Sequence, residues 1–262
     1  MLRESLRQQD WERVNEWISR LPDDARKSER WRYWQARTME QLDIKEMNGE
    51  TPMAIYQSVA PARSFYGFLA ADKTGGTYHL LDKPLVVTEE QLRTVENSPG
   101  MQRAREFFMR GELAAASREY FHSARRMPVE QMVIAGRLAE KWGWYRHGIQ
   151  LMAEAQSWDE LQVRFPIVYK DHVNQAARQT SVNPLFIFAV TRQESAFMHD
   201  AKSTAGAVGL MQLLPETAKH TAKKNGLSFS PNDLTTPEKN IALGSRYLNH
   251  LLDVFDGNRI LA

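Results

Sequence analysis

The sequence predicts an all-α protein, and three observations carry that prediction. Apolar residues recur at helical spacing along most of the 262-residue chain. The joints between these stretches are only a few residues long. Many of the stretches open on Pro, Thr or Asn and close on Gly, the residues that start and stop helices. Residues 2–20 place Leu6, Trp11, Val14, Trp17 and Ile18 at helical spacing, residues 22–42 do the same with Trp31, Trp34 and Met39, and residues 52–71 end on Phe65, Tyr66, Phe68 and Leu69. "DKTGG" at 72–76 stops the third helix, and 75–87 reads as extended or irregular.

Helices are expected again at 88–96, 99–110, 112–125, 128–142 and 145–157, joined by "GE", "MP" and "WGW". Joints this short make consecutive helices pack as antiparallel hairpins. No fixed repeat period is visible. The bulky pairs Trp31/Trp34, Phe107/Phe108 and Trp142/Trp144 are expected to pack between helices, and His79, His122 and His147 have no partner at metal-ligand spacing. A different unit opens at 164–180, with Pro166 expected in a first helical turn and a stripe of Tyr169, Val173, Ala176 and Ala177. Asn183 then caps a helix with Pro184 at its first position, and a small-residue loop follows at 201–209. Pro215 starts another helix that Gly226 ends. Thr235 or Thr236 caps the last, whose apolar face is Ile241, Leu248, Leu251, Leu252 and Phe255, closed by Asp256-Gly257.

Charge and composition exclude several functions. Hydrophobic residues make up 42% and charged residues 25%, ordinary for a globular protein. Lys and Arg total 34 against 32 Asp and Glu, and from residue 166 onward the counts are 10 and 8, so neither part carries the basic excess that a phosphate backbone demands. Nucleic acid is not an expected partner. The absence of cysteine excludes disulfides, thiolate metal sites and a cysteine nucleophile, and no cofactor or metal is expected. No run approaches the ~20 apolar residues of a membrane span, and the N-terminus lacks the apolar core of a secretion signal.

The chemistry points to "PLFIFAVTRQES" at 184–195. Six apolar residues, 185–190, give way to a polar turn that ends in Glu194 and Ser195. A helix buried on every face over 185–190 would hold Glu194 partly buried at its negative end. Burial and the helix dipole both favour the protonated carboxyl, which suits a general acid. The following "STAGAVGLMQLLPETA" at 203–218 offers glycines that let a ligand approach the backbone, hydrogen-bonding groups at Ser203 and Gln212, and an apolar wall at Met211. A second carboxylate would indicate a glycosidase pair. Asp200 and Glu216 are the nearest in sequence, but one sits in a loop and the other in a first helical turn, where acids are common. One unpartnered carboxyl is the expectation.

"QESAF" at 193–197, the 18-residue step from Glu194 to Gln212, and the "GLMQ" string together resemble the first two motifs of the soluble lytic transglycosylases, relatives of goose-type lysozyme. "RYWQAR" at 32–37 and "FYGFLAAD" at 65–72 resemble the helical superhelix of that family's large periplasmic members. The resemblance implies an α-superhelical segment over 1–76, a helical linker domain over 77–165 and a lysozyme-like transglycosylase domain over 166–262. It implies a periplasmic monomer acting on peptidoglycan glycan strands. Glu194 would be the catalytic acid and then base, forming a 1,6-anhydromuramic product. Ser195, Ser203, Gly209, Met211 and Gln212 would line the glycan cleft. The family has a third motif, a Tyr-Asn-Gly string, soon after the helix ending near Phe255. The sequence stops at "DGNRILA", about where that motif would begin, so the expectation is a fragment with an incomplete cleft and low activity. Two other readings stay open on the residues alone: a non-catalytic α-solenoid that binds a partner, and a muramidase that hydrolyses the same bond.

Overall fold

The computed structural model describes residues 1–80, 82–259 and 261. Among them are sixteen α-helices and one 3-10 turn, and extended pairing is limited to isolated bridges. The fold is all-α, as its periodicity predicts. No helix among the described residues is long and apolar enough to cross a membrane. The chain forms two compact units, Met1–Leu81 and Asp82–Ala262.

The first unit contains α1 (Leu2–Gln8), α2 (Trp11–Ser19), α3 (Asp23–Arg26), α4 (Glu29–Gln41), α5 (Pro52–Val59) and α6 (Phe65–Thr74). Each of the three long helices expected here is therefore two shorter ones. Capping chemistry breaks them. Gln9 turns left-handed at φ 55, and the Asp10 carboxylate accepts the N–H of Arg13 at 3.2 Å to start α2. Pro61 has no N–H to continue α5, and Ser64 Oγ accepts the N–H of Gly67 at 3.1 Å to start α6. Periodicity misses such breaks because both halves can keep their apolar residues on one side. The core is aromatic: the Tyr33 ring lies 5.7, 5.5 and 5.7 Å from those of Trp34, Tyr56 and Tyr66.

The second unit begins with α7 (Glu89–Glu96), α8 (Pro99–Met109), α9 (Leu113–Ala124), α10 (Val129–Lys141) and α11 (Tyr145–Glu154), within a few residues of the expected spans. α8 packs on α9 and α10 on α11, around buried Tyr120, Leu138, Trp144 and Leu151. Phe107, Phe108, Trp142 and Trp144 do pack between helices, Phe108 and Trp142 both meeting Trp144 edge-on at 4.5 and 6.0 Å; Trp34 packs on the first unit's core, whereas Trp31 contacts Arg30 of its own helix. After the short α12 (Leu161–Arg164) come α13 (Lys170–Thr180), α14 (Pro184–Ser195), α15 (Pro215–Lys224), the 3-10 turn Pro231–Thr235 and α16 (Pro237–Val254). Pro166 is not in a first helical turn. Residues 166–168 are irregular, and α13 starts only after Tyr169, which is left-handed at φ 55.

A buried ion pair ties the extended stretch after residue 81 to these helices. Glu160 is 3% exposed and accepts from Arg137 Nε at 3.0 Å and Arg137 Nη2 at 2.9 Å. The same carboxylate accepts the N–H of Leu85 at 2.7 Å, while Arg137 Nη2 donates to the Leu85 carbonyl at 2.5 Å. Removing one partner of such a pair leaves the other charge buried and alone. Glu160→Ala should therefore cost about 3 kcal/mol in urea unfolding of the second unit. A loss below about 1 kcal/mol would show that water replaces the carboxylate.

Candidate active site at the end of helix α14

α14 starts as its sequence predicts. Asn183 Oδ1 accepts the N–H of Leu185 at 2.8 Å, and Pro184 occupies the first turn. The apolar run that follows is not buried on every face. Ile187 is fully buried, but Leu185 is 72% exposed, Ala189 is exposed, and Phe186, Phe188 and Val190 are half-buried. The buried stripe is Ile187, Thr191 and Ser195, spaced four residues apart. Its two hydroxyls are spent inside the protein. Thr191 Oγ1 donates to the Ile187 carbonyl at 2.8 Å, and Ser195 Oγ lies 2.8 Å from the Leu210 carbonyl and 3.1 Å from that of Thr191.

Glu194 precedes Ser195 and so lies off this stripe. Its side chain is exposed, and among the described residues nothing pairs with it. The burial expected for this carboxyl is not found, because the helix it ends is buried along one stripe only. The backbone beyond it is tightly constrained. Ala196 and Phe197 are both left-handed, at φ 49 and φ 65, although neither is glycine. The Phe197 ring, 4% exposed in the core of Val173, Leu210 and Ile241, holds the turn in that conformation.

The loop 201–213 wraps against this turn. Gly209 donates its N–H to the Ala201 carbonyl at 2.8 Å, Val208 and Leu213 exchange N–H···O bonds of 2.9 and 3.1 Å, and Gln212 Nε2 donates to the carbonyls of Gly209 and Ala201 at 2.9 and 3.1 Å. Gly209 is left-handed at φ 83, and a Cβ there would overlap Leu234 O and Asn240 Nδ2. Of the residues singled out in the sequence, Ser195, Gly209, Met211 and Gln212 meet in this one bonded assembly. Ser195 and Met211, each 6% exposed, support it from inside. Ser203 stands apart in an exposed turn, where its Oγ accepts the N–H of Ala207 at 3.0 Å. Asp200 lines a cavity and Glu216 is exposed in the first turn of α15; no bond links either to Glu194.

That cavity, of about 490 Å³, lies between α8, α9 and α11 on one side and residues 197–200 on the other. Trp144, Phe121 and Tyr169 supply apolar lining, and Ser117, His147 and Asp200 supply polar groups. His147 Nε2 sits 3.0 Å from Ser117 Oγ, with its ring stacked on Phe121. Burial, reinforced by the nearby Arg146 charge, pushes the imidazole down to about 4.

Asn240 and Gly244, both in α16, hold the loop and were not singled out in the sequence. Asn240 is fully buried. Its Oδ1 accepts the N–H of Met211 at 2.8 Å, and its Nδ2 donates to the carbonyls of Leu234 and Val208 at 2.9 and 3.1 Å. Gly244 leaves room for Met211, whose side chain a Cβ would overlap. The available signal was a glycine inside an otherwise regular helical pattern, which marks close approach. Among the described residues no cluster of His, Asp and Glu suits a metal ion.

Two measurements follow from this geometry. Asn240→Leu should destabilise the second unit by about 3 kcal/mol, because three backbone groups lose their partner at ~1–3 kcal/mol each, with partial relaxation; thermal unfolding reads it, and a loss under 1 kcal/mol would mean that the loop does not depend on this amide. His147 has a folded pKa below its unfolded value, so its contribution is complete above about 6.5 and is lost as pH falls towards about 4. Unfolding free energy should drop by up to ~3 kcal/mol across that window, and His147→Gln should flatten the drop. An unchanged slope would remove His147 as its source.

Residues 171–262 match the transglycosylase SLT domain, and residues 94–161 match the soluble lytic murein transglycosylase L domain. The soluble lytic murein transglycosylase of Salmonella typhimurium is 31% identical over 95% of the chain, which spans 38% of that relative's length. The structure of lytic transglycosylase Slt from Pseudomonas aeruginosa, solved as an inactive glutamate-to-glutamine mutant, superposes with a TM-score of 0.89 at 41% identity, covering 99% of this chain and 42% of that one. A 70-kDa soluble lytic transglycosylase, solved in complex with bulgecin A, gives a TM-score of 0.84 at 31% identity, over 99% of this chain and 41% of that one. The two matched domains, joined by an identity that runs through nearly the whole chain, are those of the soluble lytic murein transglycosylases.

Proposed function

We propose that the chain carries the catalytic part of a periplasmic enzyme that cleaves the β-1,4 bond between N-acetylmuramic acid and N-acetylglucosamine in peptidoglycan, leaving a 1,6-anhydromuramic end. Glu194 carries this reading: it is a free, exposed carboxyl on a turn that Ser195 and Phe197 fix from inside. Glu194 donates its proton to the glycosidic oxygen as the bond to C1 of the muramic residue breaks. Its carboxylate then takes the proton of the muramic 6-hydroxyl as O6 bonds to C1, so the acid is regenerated. A tethered hydroxyl has a high effective concentration and needs no water-activating partner. One carboxyl is therefore enough, which fits an arrangement in which neither Asp200 nor Glu216 is bonded to Glu194.

Gln212 and the exposed Ser203 form the adjoining wall, and buried Gly209, whose N–H and carbonyl are both bonded within the loop, supports it from within together with Met211 and Ser195. Since the carboxyl stands in water in the free chain, excluding water from the reacting bond falls to the bound glycan. Residues 166–262 act as the transglycosylase domain, 77–165 as its helical linker and 1–76 as part of a superhelix, in a monomer. The chemistry as written uses no metal or cofactor.

Glu194→Gln keeps the size of the side chain but cannot donate a proton. Release of soluble fragments from purified peptidoglycan should fall by at least ~10²-fold, the low end of what general acid–base catalysis supplies. Activity within tenfold of the unmodified protein would sink the assignment, whereas Asp200→Asn and Glu216→Gln should stay within that range. Mass spectrometry of the released fragments should show products lighter by one water than hydrolysis would give. Predominantly reducing-end products would make the enzyme a hydrolase instead.

A further inference from the structure

The turn that carries Glu194 is fixed on one side by Ser195 and Phe197. A second attachment lies on Arg192, two residues before Glu194 and so on the opposite side of the helix. Arg192 is half-buried. Its Nε donates to the carbonyl of Arg164 at 2.7 Å, and its guanidinium lies 4.4 Å from the centroid of the Phe165 ring. Arg164 lies over the same ring at 5.0 Å and over Trp158 at 4.9 Å, and donates to the Trp158 carbonyl at 2.5 Å. Two guanidinium groups thus share one aromatic ring at the exit from α12, and burial, then the charge of Arg164, lowers the Arg192 pKa. Bringing two cations together at a half-buried place is unfavourable unless the ring and the carbonyl compensate. The arrangement uses the planar, directional character of arginine, which lysine lacks.

We infer that Arg192 is a positioning residue: clamped on Phe165 and the Arg164 carbonyl, it fixes the last turn of α14 to the end of the preceding helical segment and so sets where the Glu194 carboxyl stands. This inference rests on Glu194 being the acid. The two attachments have different reach. Ser195 ties the turn to the loop that follows it, whereas Arg192 ties it to residues 158–165, which lie before α13. Without the second, α14 could pivot about the Ser195 contact while its buried stripe stayed in place. A misplacement of about 1 Å at a reacting group costs up to ~10²-fold in rate without a comparable change in binding.

The test uses Arg192→Lys, which keeps the charge but loses the fork and the stack, together with Phe165→Leu and the double variant. Each single change should lower kcat for peptidoglycan turnover about tenfold with KM within twofold, and the double variant should be no worse than the poorer single one, since both remove one clamp. Amide exchange at residues 193–198 should accelerate at least tenfold in both single variants, with residues 185–190 unchanged. Unchanged kcat and unchanged exchange would overturn the inference, as would a raised KM with kcat intact, which would make Arg192 a binding group. Independent, multiplying effects of the two substitutions would also overturn it. Glu194→Gln, run in parallel, separates the two levels: if that variant stays active, the assignment of the acid fails, and if it is inactive while Arg192→Lys is normal, only the clamp fails. The exchange measurement does not depend on turnover and decides the clamp in either case.

Discussion

The buried amide of Asn240 is the constraint on which the candidate site depends. Residues 201–213 form an irregular loop whose later part, 209–211, passes through the interior, and buried backbone N–H and C=O groups must find partners. Regular secondary structure would pair them automatically, but this loop pairs only some of them within itself. Asn240 supplies an acceptor for the Met211 N–H and donors for the Val208 and Leu234 carbonyls, which brings α16, the 3-10 turn and the loop to one point. Gly209 and Gly244 are the steric counterpart, since any side chain at either would collide with this meeting of elements. The loop's position follows from that point, and through the Leu210 carbonyl it governs where Ser195, and hence the end of α14, comes to rest.

α14 shows how polar residues replace apolar ones where position matters. Its buried stripe begins at Ile187 and continues with Thr191 and Ser195. Apolar side chains there would bury more hydrophobic area but would leave the turn free to slide, because dispersion contacts have little direction. A hydroxyl bonded to a specific carbonyl has a preferred distance and angle. The stripe therefore changes from packing to hydrogen bonding as it nears Glu194.

Much of the helical architecture was legible in the sequence because periodicity, proline and glycine all report local geometry. The second unit's helices fall near their expected spans, and Asn183-Pro184 marks the start of α14 as its chemistry dictates. What periodicity could not show was where one helix becomes two, as at Gln9-Asp10, since a cap can interrupt the backbone without disturbing the apolar side. It also could not distinguish six consecutive apolar residues buried all round from six that are half exposed, which is why the burial of 185–190, and with it that of Glu194, was overestimated. Glu194 and the Gly209–Gln212 stretch stood out through motif spacing. Asn240 and Arg192 did not, because their partners lie 29 and 28 residues away in sequence, and such partnerships are set by tertiary packing alone.

The bond between Leu85 and Glu160 spans 75 positions, and that separation bears on the order in which the chain is made. A ribosome delivers residue 85 well before residue 160, at roughly 5–20 residues per second, so the stretch after residue 81 waits several seconds for its carboxylate. Until α10 and the residues after α11 have emerged, nothing in this clasp can close, whereas the aromatic core around Tyr33 and Tyr56 needs only residues already released. Residues 82–88, at the start of the second unit, thus stay unclasped until the helical pairs beyond them are made.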